Sequence, residues 1–227
     1  AYIFASEKLD NINSHDGKSL MQHVLLIINT LLDFNADGLT IISAMLYETI
    51  NYGYSKEEIE KEFGHSIATI ASDTALINKL ECYSPSEYEK YLKGILKETP
   101  ENVRSLFIKL AERFYIMQTM EKFSEQYQKK LAESTLNVLI PTANRLRLNF
   151  IKSKLEDLCL YYLEPQIYTE ISDKLNATSE DLKGYLKNMQ IAISNLLTEN
   201  NIDFVLKSRV KNFYSIYKKM CSGKTFE

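Results

Sequence analysis

"HVLLIINTLLDFNADGLTIISAMLYETI", residues His23 to Ile50, decides the fold class. Leu20, Val24, Ile27, Ile28 and Leu31 recur at the spacing of one helix face, and "NADG" at Asn35 to Gly38 interrupts the run. A second apolar stripe through Ile42, Met45 and Leu46 comes next, so the stretch reads as helix, turn and helix. That second stripe runs out at Tyr47 and Glu48, a phenol and a carboxylate side by side where a helix ends.

The same texture continues outward. Ser55 with Glu58 forms the sequence pattern of a capping box, opening a short helix that ends near Gly64, and Ser66 is placed to open the next through Ile67, Ile70 and Ala71. Ser84 and Pro85 open a tyrosine-rich helix. Thr99, Pro100 and Glu101 make a strong helix start, followed on one face by Val103, Leu106, Phe107, Leu110, Phe114 and Met117. Helical spacing is predicted from Ser124 to Ile140 and from about Asn144 to Leu163, with Pro141 at the joint and Pro165 after the second. It resumes from Ile167 to about Leu197, broken near "NATSED".

The texture changes at "NNIDFVLKSRVKNFYSIYKKM", Asn200 to Met220. "DFVLKSRV" alternates apolar and polar residues and predicts a half-buried strand, whereas "KNFYSIYKKM" returns to helical spacing with a basic character. A mixed domain is expected to begin near Ile202. The residues from there to Glu227 are too few to complete a core, so the chain is expected to stop inside that domain.

Composition narrows the function classes. The chain has 227 residues, 45% hydrophobic and 25% charged, the balance of a globular protein rather than a disordered one. A formal net charge of -3 argues against a broadly basic nucleic-acid surface. Cys82, Cys159 and Cys221 lie far apart without a CxxC pair, which disfavours a disulfide framework or a thiolate zinc site and fits a reducing cytoplasm. No apolar run approaches membrane-spanning length and no signal segment opens the chain, so a cytoplasmic location and no membrane partner are expected.

Few residues offer chemistry by themselves. His15, His23 and His65 are the only histidines, with no HxxxH, HxH or HExxH spacing among them. Glu48 and Glu112 sit near the ends of apolar stretches in separate helices, where solvated faces are the ordinary explanation. The cations of "LKSRVKNFYSIYKKM" read either as a solvated face or as a patch for phosphates.

Three segments taken in order add a resemblance. They are His23 to Ile50, then "EIEKEFGHSIATIASDTALINKL", then "NVRSLFIKLAERFYIMQTM" with "LNVLIPTANRLRLNFIKSKLEDLCLYYLEPQIY". Together with "LEDL" and "YLEP" between Leu155 and Pro165, and "YSIYKKM" at Tyr214 to Met220, they resemble the RelA/SpoT family of (p)ppGpp synthetase/hydrolases over nearly the whole chain. The resemblance implies an all-α, HD-domain-like helical bundle over residues 1–163, linker helices over 164–200, and the truncated start of an α/β synthetase domain over 201–227.

In that family the helical domain holds manganese with a His, a His-Asp dipeptide and a later Asp, and removes the 3′ pyrophosphate of ppGpp. Such an ion lowers the pKa of a bound water and makes it a nucleophile. On this resemblance His23 matches the first His, Tyr47 and Glu48 replace the His-Asp dipeptide, and Glu112 in "LAER" replaces the later Asp. Asn51 and Tyr52 stand where an acidic pair follows in the family, Ser14 replaces a basic residue of the substrate-facing loop, and Ile116 replaces an Asn. The residual metal set would be His23, Glu48 and Glu112, with no bound cofactor expected. A neutral phenol is a poor substitute for imidazole, and the obvious general base is gone.

The start of the synthetase is expected to place Arg209, Lys211, Ser215 and Lys219 on nucleotide phosphates, where that domain uses magnesium for pyrophosphate transfer. The resemblance thus implies the N-terminal part of a GTP pyrophosphokinase in (p)ppGpp metabolism, its hydrolase domain degenerate and regulating or scaffolding the synthetase of the same chain. By itself this stretch is expected to carry neither activity, and no direct nucleic-acid binding. The alternatives are a metal-dependent 3′-pyrophosphohydrolase with an altered ligand set and an allosteric module for guanine nucleotides.

Overall fold

The computed structural model describes residues 1–13, 17–83, 85–95, 99–208 and 210–223. Helices α1 (Tyr2–Leu9), α2 (Leu20–Asp33), α3 (Gly38–Asn51), α4 (Lys56–Phe63), α5 (His65–Tyr83), α6 (Pro85–Ile95) and α7 (Pro100–Thr119) come first. Then come α8 (Glu125–Ser134), a π-helical turn (Thr135–Leu139), α9 (Ile140–Arg145), α10 (Asn149–Leu163), α11 (Pro165–Ala177), α12 (Ser179–Glu199) and α13 (Phe213–Cys221). The all-α expectation holds. Among the described residues the only β pairing is an isolated bridge between Asn13 and Ser19.

Local signals set most helix starts. Ser19 and Ser55 each close a capping box, with Gln22 and Glu58 reaching back to the cap N–H groups. Thr99 caps α7 through the Asn102 N–H, with Pro100 at the head of the helix. Gly64 ends α4 at φ 88, left-handed backbone that a side chain would resist, and α5 starts at the next residue, His65, one earlier than Ser66 predicts. Helix α6 begins at Pro85 as expected, while Ser84 lies outside the described residues.

Two expectations change. Pro141 does not mark a joint: a widened π turn precedes it, and it sits in the first turn of α9. The break comes later, where Arg147 turns left-handed at φ 57 and the Leu148 N–H reaches back to the Ala143 carbonyl, the signature of a helix stop. The predicted strand is also absent. Residues 202–208 are unpaired, because a strand exists only against a partner and no second extended segment among the described residues offers one.

The chain divides into two compact units, Ala1–Leu155 and Glu156–Glu227. In the first, α7 lies against α5, α5 against α3, and α2 packs on both α3 and α7. Their facing stripes, including Val24, Ile27, Leu31, Leu46, Ile70, Leu106 and Leu110, are buried. In the second, α11 packs on α13, with the Tyr168 ring stacked 4.8 Å from Phe213. The Asp157 carboxylate accepts the Tyr214 backbone N–H at 2.9 Å and Asn212 Nδ2 at 3.0 Å, so a side chain of α10 caps α13. Residues 164–200 and 201–227 both fall in the second unit, and the dividing point lies inside α10.

Asp37 is the clearest stabilising cap. It takes the Thr40 N–H at 2.9 Å and Arg104 Nη2 at 2.6 Å, joining the start of α3 to α7. The hydrogen bond from Arg104, against some opposing burial and with help from Thr40, holds its carboxyl well below the usual carboxylate range. Asp37→Ala is expected to cost about 1–2 kcal/mol, read as a loss of about 5 °C in the calorimetric midpoint. Because the folded pKa is depressed, the aspartate's contribution is full at neutral pH and is lost as pH falls below about 4. The gap between wild type and Asp37→Ala should therefore narrow on acidification.

Asp157→Ala is expected to release the first turn of α13. Amide exchange at Tyr214 should speed up by about tenfold while the amides of α7 are unaffected.

Candidate functional site

Tyr47 projects from the penultimate turn of α3 into the core of the first unit and is completely buried. Its hydroxyl donates to Glu112 Oε1 at 3.4 Å, crossing from α3 to α7. Asn78 Nδ2 of α5 donates to the same oxygen at 3.1 Å, and Lys109 Nζ donates to Glu112 Oε2 at 3.0 Å. Both oxygens of Glu112 are thus taken by donors from three helices.

Lys109 also pairs with Glu81 Oε2 at 2.8 Å, and Arg113 Nη2 bonds to Glu81 Oε1. Arg113 Nη1 donates to Thr135 Oγ1, tying the first residue of the π turn into the cluster. Lys109, Glu112 and Arg113 are only 3%, 6% and 1% exposed. Charges at such depth persist only when paired. Burial would raise the Glu81 carboxyl, yet Lys109 and Arg113 overcome it and hold the pKa at about 2. Burial likewise opposes the Lys109 charge, and Glu112 and Glu81 hold it above the usual lysine value.

The other matched residues lie around this centre. Burial, then Glu112, pushes the half-buried Glu48 carboxyl upward, and Asn51 Nδ2 donates to Glu48 Oε2 at 3.1 Å. Burial, reinforced by Glu112 and Glu48, drives the Tyr47 phenol well above its ordinary pKa, so it acts as a neutral donor. Tyr52 ends α3 and is largely exposed, while Ile116 is half-buried. His23 packs its ring edge-on to Tyr115 at 5.2 Å, and Lys18 Nζ donates to the Tyr115 hydroxyl at 3.2 Å. Ser14 and His15 lie outside the described residues.

The first unit thus carries a helical frame closed around a buried polar cluster, and residues 1–148 match the family model described as HD domain. The chain belongs to the HD-domain family. Relatives extend the match over the remaining helices. The GTP pyrophosphokinase of Brucella ovis is 29% identical over 230 residues, which is 100% of this chain and 31% of that protein. The GTP pyrophosphokinase of Myxococcus xanthus is 29% identical over 227 residues, 98% of this chain and 30% of its own. The guanosine-3′,5′-bis(diphosphate) 3′-pyrophosphohydrolase of Aquifex aeolicus is 32% identical over 221 residues, 96% of this chain and 32% of its own. This HD chain is of the RelA/SpoT type, and it spans about a third of the length of the curated relatives it matches.

Manganese, which the resemblance implies for this domain's active relatives, does not fit the residues present. Among the described residues no three of His, Cys, Asp and Glu stand together so as to hold a metal ion, so His23, Glu48 and Glu112 are not assembled as a ligand set. The lone pairs of Glu112 already face a phenol, a carboxamide and an ammonium. Sequence reasoning finds Tyr47, Glu48 and Glu112 but misses Lys109, Arg113, Glu81 and Asn78. The available signal was spacing: Lys109, Glu112 and Arg113 lie three and four apart on a helix whose neighbours are apolar, and Asn78 and Glu81 lie three apart.

In the second unit, the neighbouring Lys211 pushes the exposed Lys219 below the usual lysine value. Ser215 Oγ donates to Asn212 Oδ1 at the start of α13, turned into the local cap. Arg209 lies outside the described residues.

Tyr47→Phe keeps the ring and removes one of the three donors to Glu112. It is expected to cost about 1 kcal/mol, a midpoint drop of about 3 °C by calorimetry, with the helical circular dichroism unchanged.

Proposed function

We propose that this chain is the regulatory N-terminal region of a cytoplasmic GTP pyrophosphokinase, and that its HD site does not hydrolyse (p)ppGpp. One observation carries the reading: Tyr47 is completely buried and donates into Glu112, the position at which the family's resemblance expects a metal-bound aspartate. The relatives are named for two activities, a GTP pyrophosphokinase and a guanosine-3′,5′-bis(diphosphate) 3′-pyrophosphohydrolase. The second needs an activated water and a base to take its proton. At the matching positions the chain offers Tyr47, Asn51 and Tyr52. Asn51 spends its amide on Glu48, and Tyr52 is an exposed helix end.

A domain that keeps its frame and loses its reaction still has a physical use. A rigid helical body can favour one of two arrangements of a neighbouring catalytic domain, and its influence is the difference in contact energy between the two. The adjacent ammoniums of Lys211 and Lys219 support the complementary half of the reading. Two like charges held together repel, and an anionic phosphate of a guanine nucleotide relieves that repulsion. Among the described residues no helix is long and apolar enough to cross a membrane.

The test is incubation of this chain with ppGpp and manganese, reading pyrophosphate release. None is expected, and Tyr47→His with Glu48→Asp is expected to restore none, because Asn51, Tyr52, Ser14 and Ile116 are unchanged. Release by the wild-type chain would overturn the proposal.

A further inference from the structure

The metal expected by resemblance does not fit the HD site, and the same side chains indicate what stands in its place. Two carboxylates, Glu81 and Glu112, face two cations, Lys109 and Arg113, so these four charges balance one another. Lys109 Nζ is central: it lies 2.8 Å from Glu81 and 3.0 Å from Glu112, bridging α5 and α7 with a charge almost wholly removed from solvent. A divalent ion brought to Glu112 would meet that ammonium at hydrogen-bond range of its own ligand. It would also have to displace the donors Tyr47 Oη and Asn78 Nδ2.

We infer that Lys109 is the resident cation of this HD site, and that the site is complete without a divalent metal. The inference rests on the non-hydrolytic reading and extends it from lost chemistry to a substituted charge. Inside a protein a buried carboxylate must be met by a positive charge or by several donors, and Glu112 has both. The cost of removing these charges from water is offset only while every partner is present.

The consequence is mechanical. The cluster joins α3 through Tyr47, α5 through Asn78 and Glu81, α7 through Lys109, Glu112 and Arg113, and the π turn through Thr135. These elements are pinned whether or not metal is available, so the domain is held in one state with respect to divalent ions.

The test uses the whole chain and Mn2+ alone. Titration followed by electron paramagnetic resonance should show all Mn2+ free, and the calorimetric midpoint should be the same in EDTA and in Mn2+. Lys109→Gln should lower the midpoint by roughly 10 °C, the scale of a broken buried ion pair in a chain of this size. The double variant Lys109→Gln with Glu112→Gln, which removes the stranded carboxylate, should recover part of that loss. Bound Mn2+ in the wild type, a midpoint raised by Mn2+, an unchanged midpoint in Lys109→Gln, or strictly additive losses in the double variant would each overturn the inference. If Lys109→Gln does not fold, the wild-type titration and the double variant decide. Mn2+ binding without pyrophosphate release from ppGpp would overturn this inference alone, whereas pyrophosphate release in EDTA would overturn the non-hydrolytic reading alone.

Discussion

The bond pair from Lys109 to Glu81 and Glu112 organises the first unit. An ammonium buried this deeply is tolerated only because two carboxylates approach it, and each carboxylate is tolerated only because further donors complete it. The requirement propagates outward. Glu112 needs Tyr47 and Asn78, Glu81 needs Arg113, and Arg113 reaches the Thr135 hydroxyl. Apolar burial supplies the larger share of the driving force, but it is non-directional; the polar cluster is what ties specific turns of α3, α5 and α7 to one another.

A catalytic pocket and a structural core make opposite demands on the same groups. Hydrolysis through a metal needs carboxylate lone pairs left open to the ion and a water beside them. Here three of the roughly four acceptor sites of Glu112 face a phenol, a carboxamide and an ammonium, and Tyr47, which stands at the His of the His-Asp position, is itself fully buried. The HD frame is intact while both oxygens of Glu112 accept donors from within it. That arrangement suits a domain whose contribution is shape and rigidity. In the second unit Lys211 and Lys219 are instead exposed, and Lys211 pushes Lys219 below the usual lysine value.

Much of the frame was legible in the chain because it is written in local rules. The stripe from Leu20 to Leu31, the capping boxes at Ser19 and Ser55 and the Thr99-Pro100 start all act within one or two helical turns, and a linear reading captures that range. Errors arose where the deciding partner was not local. Alternation in Asp203 to Val210 cannot make a strand without a ladder to join. Pro141 looks like a stop until the π turn before it is seen, and the real stop at Arg147 depends on a left-handed residue that its identity does not announce.

Sequence by itself determined that the protein is helical and of HD type, and its resemblance to the family set Tyr47, Glu48 and Glu112 against that family's metal ligands. These are properties of periodicity, capping and residue identity, which survive in a one-dimensional string. Only the tertiary structure decided what those side chains now do, because it alone sets Lys109 between two carboxylates and turns the Tyr47 hydroxyl onto Glu112. The physical reason is that a charge in the core acquires its meaning from its partners, and these stand on helices 30 or more residues apart along the chain.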